Sequence, residues 1–351
     1  MNRIAKYPII VMFAAMCLAG CAKAPSSLSG ASSKEYFDAW VQVHYPDAEP
    51  TALGAYLISE TEGDGETVGD YEESPFLFVN YVISGLDGEV ISNTREDMAK
   101  QLGTYEKANY YGPVVWNRSY DALFAGVEEA VYGMKVGGTK KTVIPSWLFT
   151  SLRYDNPQDY IDNVTTGENR IYDFEITGIV KDIDKWESDS LVRYLAHNFP
   201  EVAPDDTLKE GFYYIRTVEP ADTAAFPADT SVYINYIGRR LDGQVFDTNI
   251  KDTAKLYGLY DSSAKYEPVE IVWGEEYEDL RMRSSSDSSS DEGSQMIDGF
   301  SYALWNMRSM EKGTALFTSG LGYSSSGSGS KLPGYCPLRF DIEMVEVEEE
   351  D

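Results

Sequence analysis

Few side chains in this sequence could carry nucleophilic, acid–base or metal-dependent chemistry. The 351 residues include two histidines, His44 and His197, and three cysteines. Both histidines fall within helical patterns, and Cys336 stands beside Pro337 without a nearby histidine. We therefore expect that His44, His197 and Cys336 are not catalytic. This supply excludes a zinc site and a conventional Ser-His-Asp hydrolase. We therefore expect no cofactor and no bound metal.

Two other polar side chains could form part of a site near aromatic residues. Asp247 directly follows Phe246 in a short apolar strand, and Tyr323 lies alone at a loop edge. Neither side chain has an obvious role in a hydrophobic core, whereas aromatic residues on the inner face of a sheet usually form core. An Asp-Thr step can also cap a turn. Such residues offer an apolar surface with one or two hydrogen bonds and no covalent chemistry.

Asp247 belongs to a hairpin pattern that occurs twice. Residues 231–248 alternate apolar and polar side chains, turn at Asp242-Gly243, and continue into a second short strand. Residues 76–94 repeat this pattern with a second Asp-Gly turn. A repeat of this length indicates two copies of one module.

Each copy predicts an α+β module, an antiparallel sheet packed on one short helix. The order is strand, hairpin, short strand, helix, strand, long loop and strand. An amphipathic helix precedes each module, at residues 33–46 with Ser32 or Ser33 as N-cap and at residues 188–200. We predict a signal segment (1–20), a tether (21–32), module one (33–182) and module two (183–351).

Two segments differ between the copies. Module two contains a Ser-rich, low-complexity stretch at residues 284–294, which we expect to be a solvated loop. In module one the last loop, residues 151–169, is longer and more aromatic than its counterpart, residues 324–334.

The charge of the chain excludes one class of partner. The formal net charge is −29. Nucleic-acid binding requires clusters of basic residues that neutralise phosphates, so we expect no nucleic acid partner. The acidic residues instead predict a solvated surface.

The N-terminus has the pattern of an export signal. Arg3 and Lys6 precede an apolar run at residues 9–19 that is too short to span a bilayer and ends in Leu-Ala-Gly-Cys. This resembles a bacterial lipoprotein lipobox, which implies cleavage before Cys21 and lipidation of Cys21. We expect a lipid-anchored protein of the bacterial cell envelope. No acidic residue follows Cys21 immediately, so we expect the outer rather than the inner membrane.

Module two resembles the FKBP-type peptidyl-prolyl cis-trans isomerases over about 115 residues. The resemblance depends on an ordered set of short motifs rather than on any one of them. These are Tyr236, Leu241-Asp242-Gly243, Phe246-Asp247-Thr248, Met296 to Phe300, Met307, Gly322-Tyr323 and Leu338 to Glu343.

The resemblance implies a pocket for a proline ring. The residues that would line it are Tyr236, Phe246, Asp247, Ile297, Phe300 and Phe340. Phe300 stands where the family usually has Trp, and Tyr323 would offer its hydroxyl to the substrate carbonyl. The partners implied are proline-containing polypeptides.

Module two also departs from the family pattern. Val269 replaces a usual aromatic residue, and Met310 and Ser324 replace usual glycines. In module one the departures are larger, because the positions of Phe246-Asp247, Phe300, Tyr323 and Phe340 hold Ile91-Ser92, Val127, Thr150 and Tyr172. We therefore expect module one to be non-catalytic, with a binding or spacer role.

These observations favour an isomerase of X–Pro bonds in exported proteins, active in module two alone. The alternative is a non-catalytic FKBP-like binding or chaperone lipoprotein with two degenerate pockets. The 26 tyrosines and 6 tryptophans also leave open a carbohydrate-binding surface protein.

Overall fold

The computed structural model describes residues 30–119, 122–283 and 293–346. The predicted signal segment, the lipidation site Cys21 and most of the Ser-rich stretch lie outside these residues. No helix within the described residues is long and apolar enough to cross a membrane.

Module one forms one antiparallel sheet with helices packed against it. Its central strands are β7 and β3, and the strand order is β1-β2-β6-β7-β3-β4, with β5 also paired to β3. The described elements are α1 (Gly30–His44), β1 (Glu49–Pro50), β2 (Tyr56–Thr61), β3 (Phe76–Gly85), β4 (Val90–Asn93), α2 (Glu96–Leu102), β5 (Val114–Asn117), α3 (Ala125–Val131), β6 (Thr139–Ile144), α4 (Pro157–Asn163) and β7 (Arg170–Val180).

Module two repeats this arrangement. Its strand order is β13-β12-β11-β9-β15-β14-β8, with β10 paired to β9. The described elements are α5 (Ile183–Asn198), β8 (Phe212–Val218), β9 (Ser231–Arg240), β10 (Val245–Thr248), α6 (Lys251–Tyr257), β11 (Val269–Val272), β12 (Arg281–Arg283), β13 (Ser294–Gln295), α7 (Asp298–Asn306), β14 (Lys312–Phe317) and β15 (Leu338–Val345). The predicted α+β class is confirmed.

The hydrophobic core of each module lies between the sheet and its short helix. In module two, α7 buries Phe300, Ala303 and Leu304 against the sheet. Complete burial of an aromatic or leucine side chain contributes about 1.5–3 kcal/mol each. The hairpin turn between β9 and β10 places Gly243 at φ 89°, a left-handed conformation that explains the Asp-Gly pair.

Four local predictions were wrong. Helix α5 begins at Ile183 instead of residue 188, because the Asp182 side chain caps it by accepting a hydrogen bond from the Lys185 N–H. Helix α1 begins at Gly30, so Ser32 and Ser33 lie inside it rather than at its start. The single-helix description omitted α2, α6 and α4. Helices α2 and α6 bury one alanine each and α4 buries two adjacent residues, so none has the apolar face that identified the equally short α3. Ser294, expected in a loop, pairs with Met282 in β13.

Candidate active site

Four aromatic rings from four different elements meet on the inner face of the module-two sheet. Tyr236 on β9 lies 5.5 Å from Phe300 on α7, measured between ring centroids, and Phe300 lies 4.8 Å from Phe340 on β15. Phe246 on β10 meets Phe340 edge-on at 5.6 Å. These edge-to-face and tilted arrangements are those that aromatic pairs prefer. The result is an apolar, aromatic floor.

The rings can meet because Gly238 lies beneath them. Gly238 pairs with Asp247 on one side and with Phe340 on the other. A Cβ atom at this position would come within 2.8 Å of the Phe246 ring and 2.9 Å of the Phe340 ring. We did not identify Gly238 from the sequence. The aligned repeats do show a glycine in module two where module one has isoleucine, since Tyr236-Ile237-Gly238 corresponds to Tyr81-Val82-Ile83.

Asp247 and Tyr236 form the polar side of this floor. The Tyr236 hydroxyl donates a hydrogen bond to the Asp247 carboxylate at 2.9 Å. Asp247 is exposed at the mouth of the site, yet the surrounding protein desolvates its carboxylate and raises its pKa, while the Tyr236 hydrogen bond and the charge of Lys331 act in the opposite direction. Burial and the neighbouring Asp247 raise the pKa of Tyr236, so its hydroxyl remains a donor.

Ile297 and Tyr323 are half-buried beside the ring cluster. Ile297 immediately precedes α7, and Tyr323 lies in the loop between β14 and β15, with its ring 6.3 Å from that of Phe246. Burial, followed by the charge of Asp247, raises the pKa of Tyr323 and keeps its hydroxyl protonated. All seven predicted site residues therefore lie in or beside one region of module two.

Asn249 holds the strand segment that carries Tyr236 and Asp247. Its side-chain oxygen accepts a hydrogen bond from the Tyr236 N–H at 2.8 Å. Its amide group donates to the carbonyl oxygens of Ile234 and Glu267 at 3.0 and 2.9 Å. No local pattern in the sequence indicates this role, because the three partners are 13 to 18 residues away.

The glycine replacements at Met310 and Ser324 leave the backbone conformation of a glycine in place. Met310 has φ 59° and Ser324 has φ 50°, both in the left-handed region. The structure therefore retains the loop geometry at these two departures, with local strain at each residue. The third departure, Val269, is half-buried and packs against the module-two core.

Met310→Gly is expected to raise the free energy of unfolding of module two by up to about 1 kcal/mol. Relief of left-handed strain, about 1–2 kcal/mol, exceeds the entropy cost of a new glycine, about 0.5–1 kcal/mol. Denaturant unfolding measures the change. Leu256→Gly, exposed in helix α6, is the control and should lower stability by about 1 kcal/mol. Equal destabilisation by both substitutions would contradict the strain at Met310.

The equivalent region of module one holds a differently arranged ring cluster. Its rings run from Tyr81 through Trp116, Phe174 and Tyr172 to Phe149, at 5.1 to 6.0 Å between successive centroids. Strand pairing places Ser92 opposite Ile83, as Asp247 lies opposite Gly238, and it places Tyr172 opposite Ile83, as Phe340 lies opposite Gly238. Ile91, at the position of Phe246, is 51% exposed, whereas Phe246 is 4% exposed. Tyr172 packs instead on Phe149 and Phe174, at 6.0 and 5.1 Å between ring centroids.

The residues that we excluded from catalysis are not members of the ring cluster, although Cys336 packs against the module-two core. His44 stacks on Trp40 at 4.2 Å, and His197 is exposed near the end of α5. Burial raises the pKa of Cys336 to about 12, which keeps the thiol protonated and unreactive. No group of three or more His, Cys, Asp or Glu residues in the described part of the chain could hold a metal ion.

Comparison with known proteins identifies the same half of the chain. Residues 223–345 match the family model "FKBP-type peptidyl-prolyl cis-trans isomerase". The chain is 36% identical over 74 residues to the short-type peptidyl-prolyl cis-trans isomerase of Methanocaldococcus jannaschii, covering 21% of this chain and 46% of the relative. The chain thus spans less than half the length of this curated relative.

Solved structures give weaker similarities over longer stretches. The three FKBP domains of wheat FKBP73 align with 83% of this chain and 93% of theirs at 15% identity and TM-score 0.27. A Pseudomonas syringae pv. tomato isomerase aligns with 47% of this chain and 96% of its own at 21% identity and TM-score 0.30. FkpA from Escherichia coli aligns with 43% of this chain and 59% of its own at 18% identity and TM-score 0.28.

The assignment of module two depends on the family match together with the ring cluster. The matched segment includes all seven predicted site residues, from Tyr236 to Phe340. Residues 223–345 of this chain form a domain of the FKBP-type peptidyl-prolyl cis-trans isomerase family.

Proposed function

We propose that this protein accelerates cis–trans isomerisation of X–Pro bonds in polypeptides, and that the reaction takes place in module two. The observation that carries the proposal is the convergence of Tyr236, Phe246, Phe300 and Phe340, with the Asp247 carboxylate at the edge of the cluster. The substrate prolyl ring would rest on the aromatic floor. The carbonyl before the proline would lie near the Tyr323 hydroxyl.

The chemistry requires no covalent step. Rotation about an X–Pro bond meets a barrier of about 18–20 kcal/mol that arises from amide resonance. Resonance places partial charges on the amide, so an apolar surface that removes water disfavours the planar ground state. A site that binds the twisted amide better than either planar isomer lowers the barrier. The protonated hydroxyls of Tyr236 and Tyr323 are suited to hydrogen bonding without acid–base exchange.

The comparison of the two modules supports the assignment of activity to module two. Ile83 in module one occupies the position at which Gly238 allows the rings of module two to meet. Ile91 is exposed, and Ser92 stands where module two has the Asp247 carboxylate. Module one thus has the sheet, the helix and a ring cluster of its own, but it lacks the counterparts of Phe246, Asp247 and Phe300.

Asp247→Ala is expected to lower kcat/KM for a proline-containing peptide by roughly a hundredfold, the loss that a misplaced positioning group can cause. The substitution removes the carboxylate and leaves the Tyr236 hydroxyl without its acceptor. A protease-coupled isomerisation assay measures the rate, with unfolding curves to verify the fold.

Ser92→Ala is the matched control for Asp247→Ala, because it truncates the equivalent residue of module one. It should leave kcat/KM unchanged. An Asp247→Ala protein with the wild-type kcat/KM would contradict the proposal that the reaction takes place at this site of module two. No acceleration by the wild-type protein would favour the alternative, a non-catalytic FKBP-like binding protein.

We further propose that the substrates are exported proteins, and that lipid on Cys21 holds the enzyme in the bacterial cell envelope, at the outer membrane. The support is the sequence pattern at residues 1–21, a short apolar run with basic residues before it and a small-residue step before the cysteine. Metabolic labelling with a fatty acid tests the anchor. A Cys21→Ser protein that still takes up label would contradict it.

A further inference from the structure

The loop that carries Tyr323 has several contacts with residues from outside the family domain, in addition to those within module two. This loop, residues 318–337, joins β14 to β15 and includes both Tyr323 and Lys331. A groove of about 600 Å³ lies where the two modules and α5 meet, and Pro333 to Pro337 form part of its lining. This stretch therefore borders the groove on one side and packs on the module-two core through Leu332 and Cys336 on the other. The contacts from helix α5 and module one add to that packing.

The first contact is at the start of the loop. Glu187 on helix α5 is buried, and its carboxylate accepts hydrogen bonds from the Ser319 N–H at 2.5 Å and the Ser319 hydroxyl at 2.6 Å. The helix is itself anchored, since Leu191 and Leu195 pack with Leu316 of β14. Tyr323 follows Ser319 by four residues, so Glu187 fixes the point from which the Tyr323 segment begins.

The second contact is at the tip of the loop and comes from module one. The Tyr110 N–H donates to the Ser330 carbonyl oxygen at 2.8 Å, and the Ser330 hydroxyl donates to Asn109 at 2.6 Å. Asn109 and Ser330 are 221 positions apart in the sequence. The tip of the loop therefore has both a backbone and a side-chain partner in the other module.

Arg240 extends this contact toward the candidate active site. The guanidinium of Arg240 lies over the Tyr110 ring, 4.9 Å from its centroid, and Nη1 donates to the Lys331 carbonyl oxygen at 2.9 Å. Lys331 is close enough to Asp247 for its charge to lower the pKa of that carboxyl. Tyr110, Arg240 and Lys331 thus connect module one with the residue at the mouth of the site.

The third contact is near the end of the loop. The Tyr335 ring meets Phe76 of module one edge-on at 5.7 Å, and the Asn117 amide donates a long hydrogen bond of 3.5 Å to the Tyr335 hydroxyl. Tyr335 has φ 56°, and its N–H donates to the Ser324 carbonyl oxygen at 2.9 Å. A bulky residue persists in this conformation when its surroundings fix it. Because Tyr335 is hydrogen-bonded to Ser324, its contact with module one also holds the backbone of Ser324, the residue after Tyr323.

Module one also contacts the segment that follows Asp247. The Lys107 ammonium donates to the Leu256 carbonyl oxygen of α6 at 2.6 Å, and the Gln244 amide donates to the Lys107 carbonyl oxygen at 3.2 Å. Helix α6 begins four residues after Asp247. The loop of module one at residues 107–110 therefore touches both segments that border the candidate site.

We propose that module one is a positioning domain for the isomerase site of module two. Through Asn109 and Tyr110, and together with Glu187, it holds residues 318–337 in the conformation that receives the peptide. This inference rests on the proposed function and deepens it. If the receptive conformation becomes a minor state, the apparent affinity for the peptide falls in proportion to its population, while turnover of the bound peptide changes little.

The test uses the whole protein with the double substitution Asn109→Ala/Tyr110→Ala. We expect KM for a prolyl peptide to rise about fivefold, the lower end of typical coupling between sites, with kcat within about twofold of wild type. Hydrogen exchange should show lost protection in residues 318–337, with the unfolding midpoint of module two unchanged. The single variant Tyr110→Phe, which retains Asn109 and keeps the ring over Arg240, should have the wild-type KM.

The control is Tyr132→Ala, an equally large truncation at an exposed position of module one. It should change neither KM nor exchange. Unchanged KM and unchanged exchange in the double variant would overturn the proposal, as would protection lost evenly throughout module two, since that indicates general destabilisation. If the wild-type protein has no isomerase activity, the proposed function fails, and hydrogen exchange alone still decides whether module one holds the loop.

Discussion

Gly238→Ile is expected to lower kcat/KM for a prolyl peptide by at least about a hundredfold, equivalent to about 2.7 kcal/mol of transition-state stabilisation. Even the Cβ atom of the new residue would lie within 3 Å of both the Phe246 ring and the Phe340 ring. The rings must move apart, and the branched side chain then fills the space between them. A displacement of about 1 Å in a positioning group can cost a hundredfold in rate.

The repeat provides the controls for this experiment. Ile83→Gly makes the reciprocal change in module one and should leave kcat/KM unchanged, because the positions of Phe246, Asp247 and Phe300 hold Ile91, Ser92 and Val127 in that module. Gly238→Ala adds the Cβ atom alone and should give an intermediate loss. Near-ultraviolet circular dichroism and a cooperative unfolding curve verify that each variant folds. A folded Gly238→Ile protein with more than half of the wild-type kcat/KM would show that the rings do not form the site.

Glu311→Ala is expected to lower the free energy of unfolding of module two by about 1.5–3 kcal/mol, the range for hydrogen bonds to a charged group, because the partner Arg216 is itself exposed. The Glu311 side chain is fully buried and accepts hydrogen bonds from the Tyr214 hydroxyl at 2.6 Å, from Arg216 Nε at 3.0 Å and from the Arg308 N–H at 2.9 Å. Removal of the carboxylate leaves the Tyr214 hydroxyl buried without its acceptor. Burial and this hydrogen bond also raise the pKa of Tyr214.

Denaturant unfolding followed by the fluorescence of module two measures this loss. Glu343→Ala is the matched control, since Glu343 pairs with Lys312 at 2.6 Å where both side chains are exposed. The control should cost less than about 1 kcal/mol, as surface ion pairs do. Similar losses in the two variants would mean that the Glu311 cluster stabilises the module no more than a surface pair.

Local patterns in the sequence predicted the main elements well. The alternation of residues 231–240, the Asp-Gly turns and the spacing of apolar residues in α7 each depend on neighbours a few positions away, so they are visible without a structure. Helices α2 and α6 were missed because each buries a single alanine and so has no apolar face that the sequence could reveal. The start of α5 was misplaced because its cap, Asp182, lies before the apolar positions that define the helix.

The candidate site likewise contains residues that local motifs could identify and residues that they could not. Tyr236, Phe246, Asp247 and Phe340 could be selected because the motifs of a known family surround them. Gly238 and Asn249 could not, since their importance comes from atoms of other strands that approach them. The activity of the seven selected residues stays a prediction, and Asp247→Ala tests it.

By itself, the sequence determined that the chain contains two copies of one α+β module and that the second copy has the FKBP-type motifs. These properties follow from residue types at short, regular spacing. Only the tertiary structure decided that Gly238 allows the aromatic rings to meet, and that Glu187 and Tyr110 contact the loop of Tyr323. The physical reason is that such contacts join atoms more than a hundred residues apart in the sequence, or depend on the absence of a side chain, and neither produces a periodic pattern.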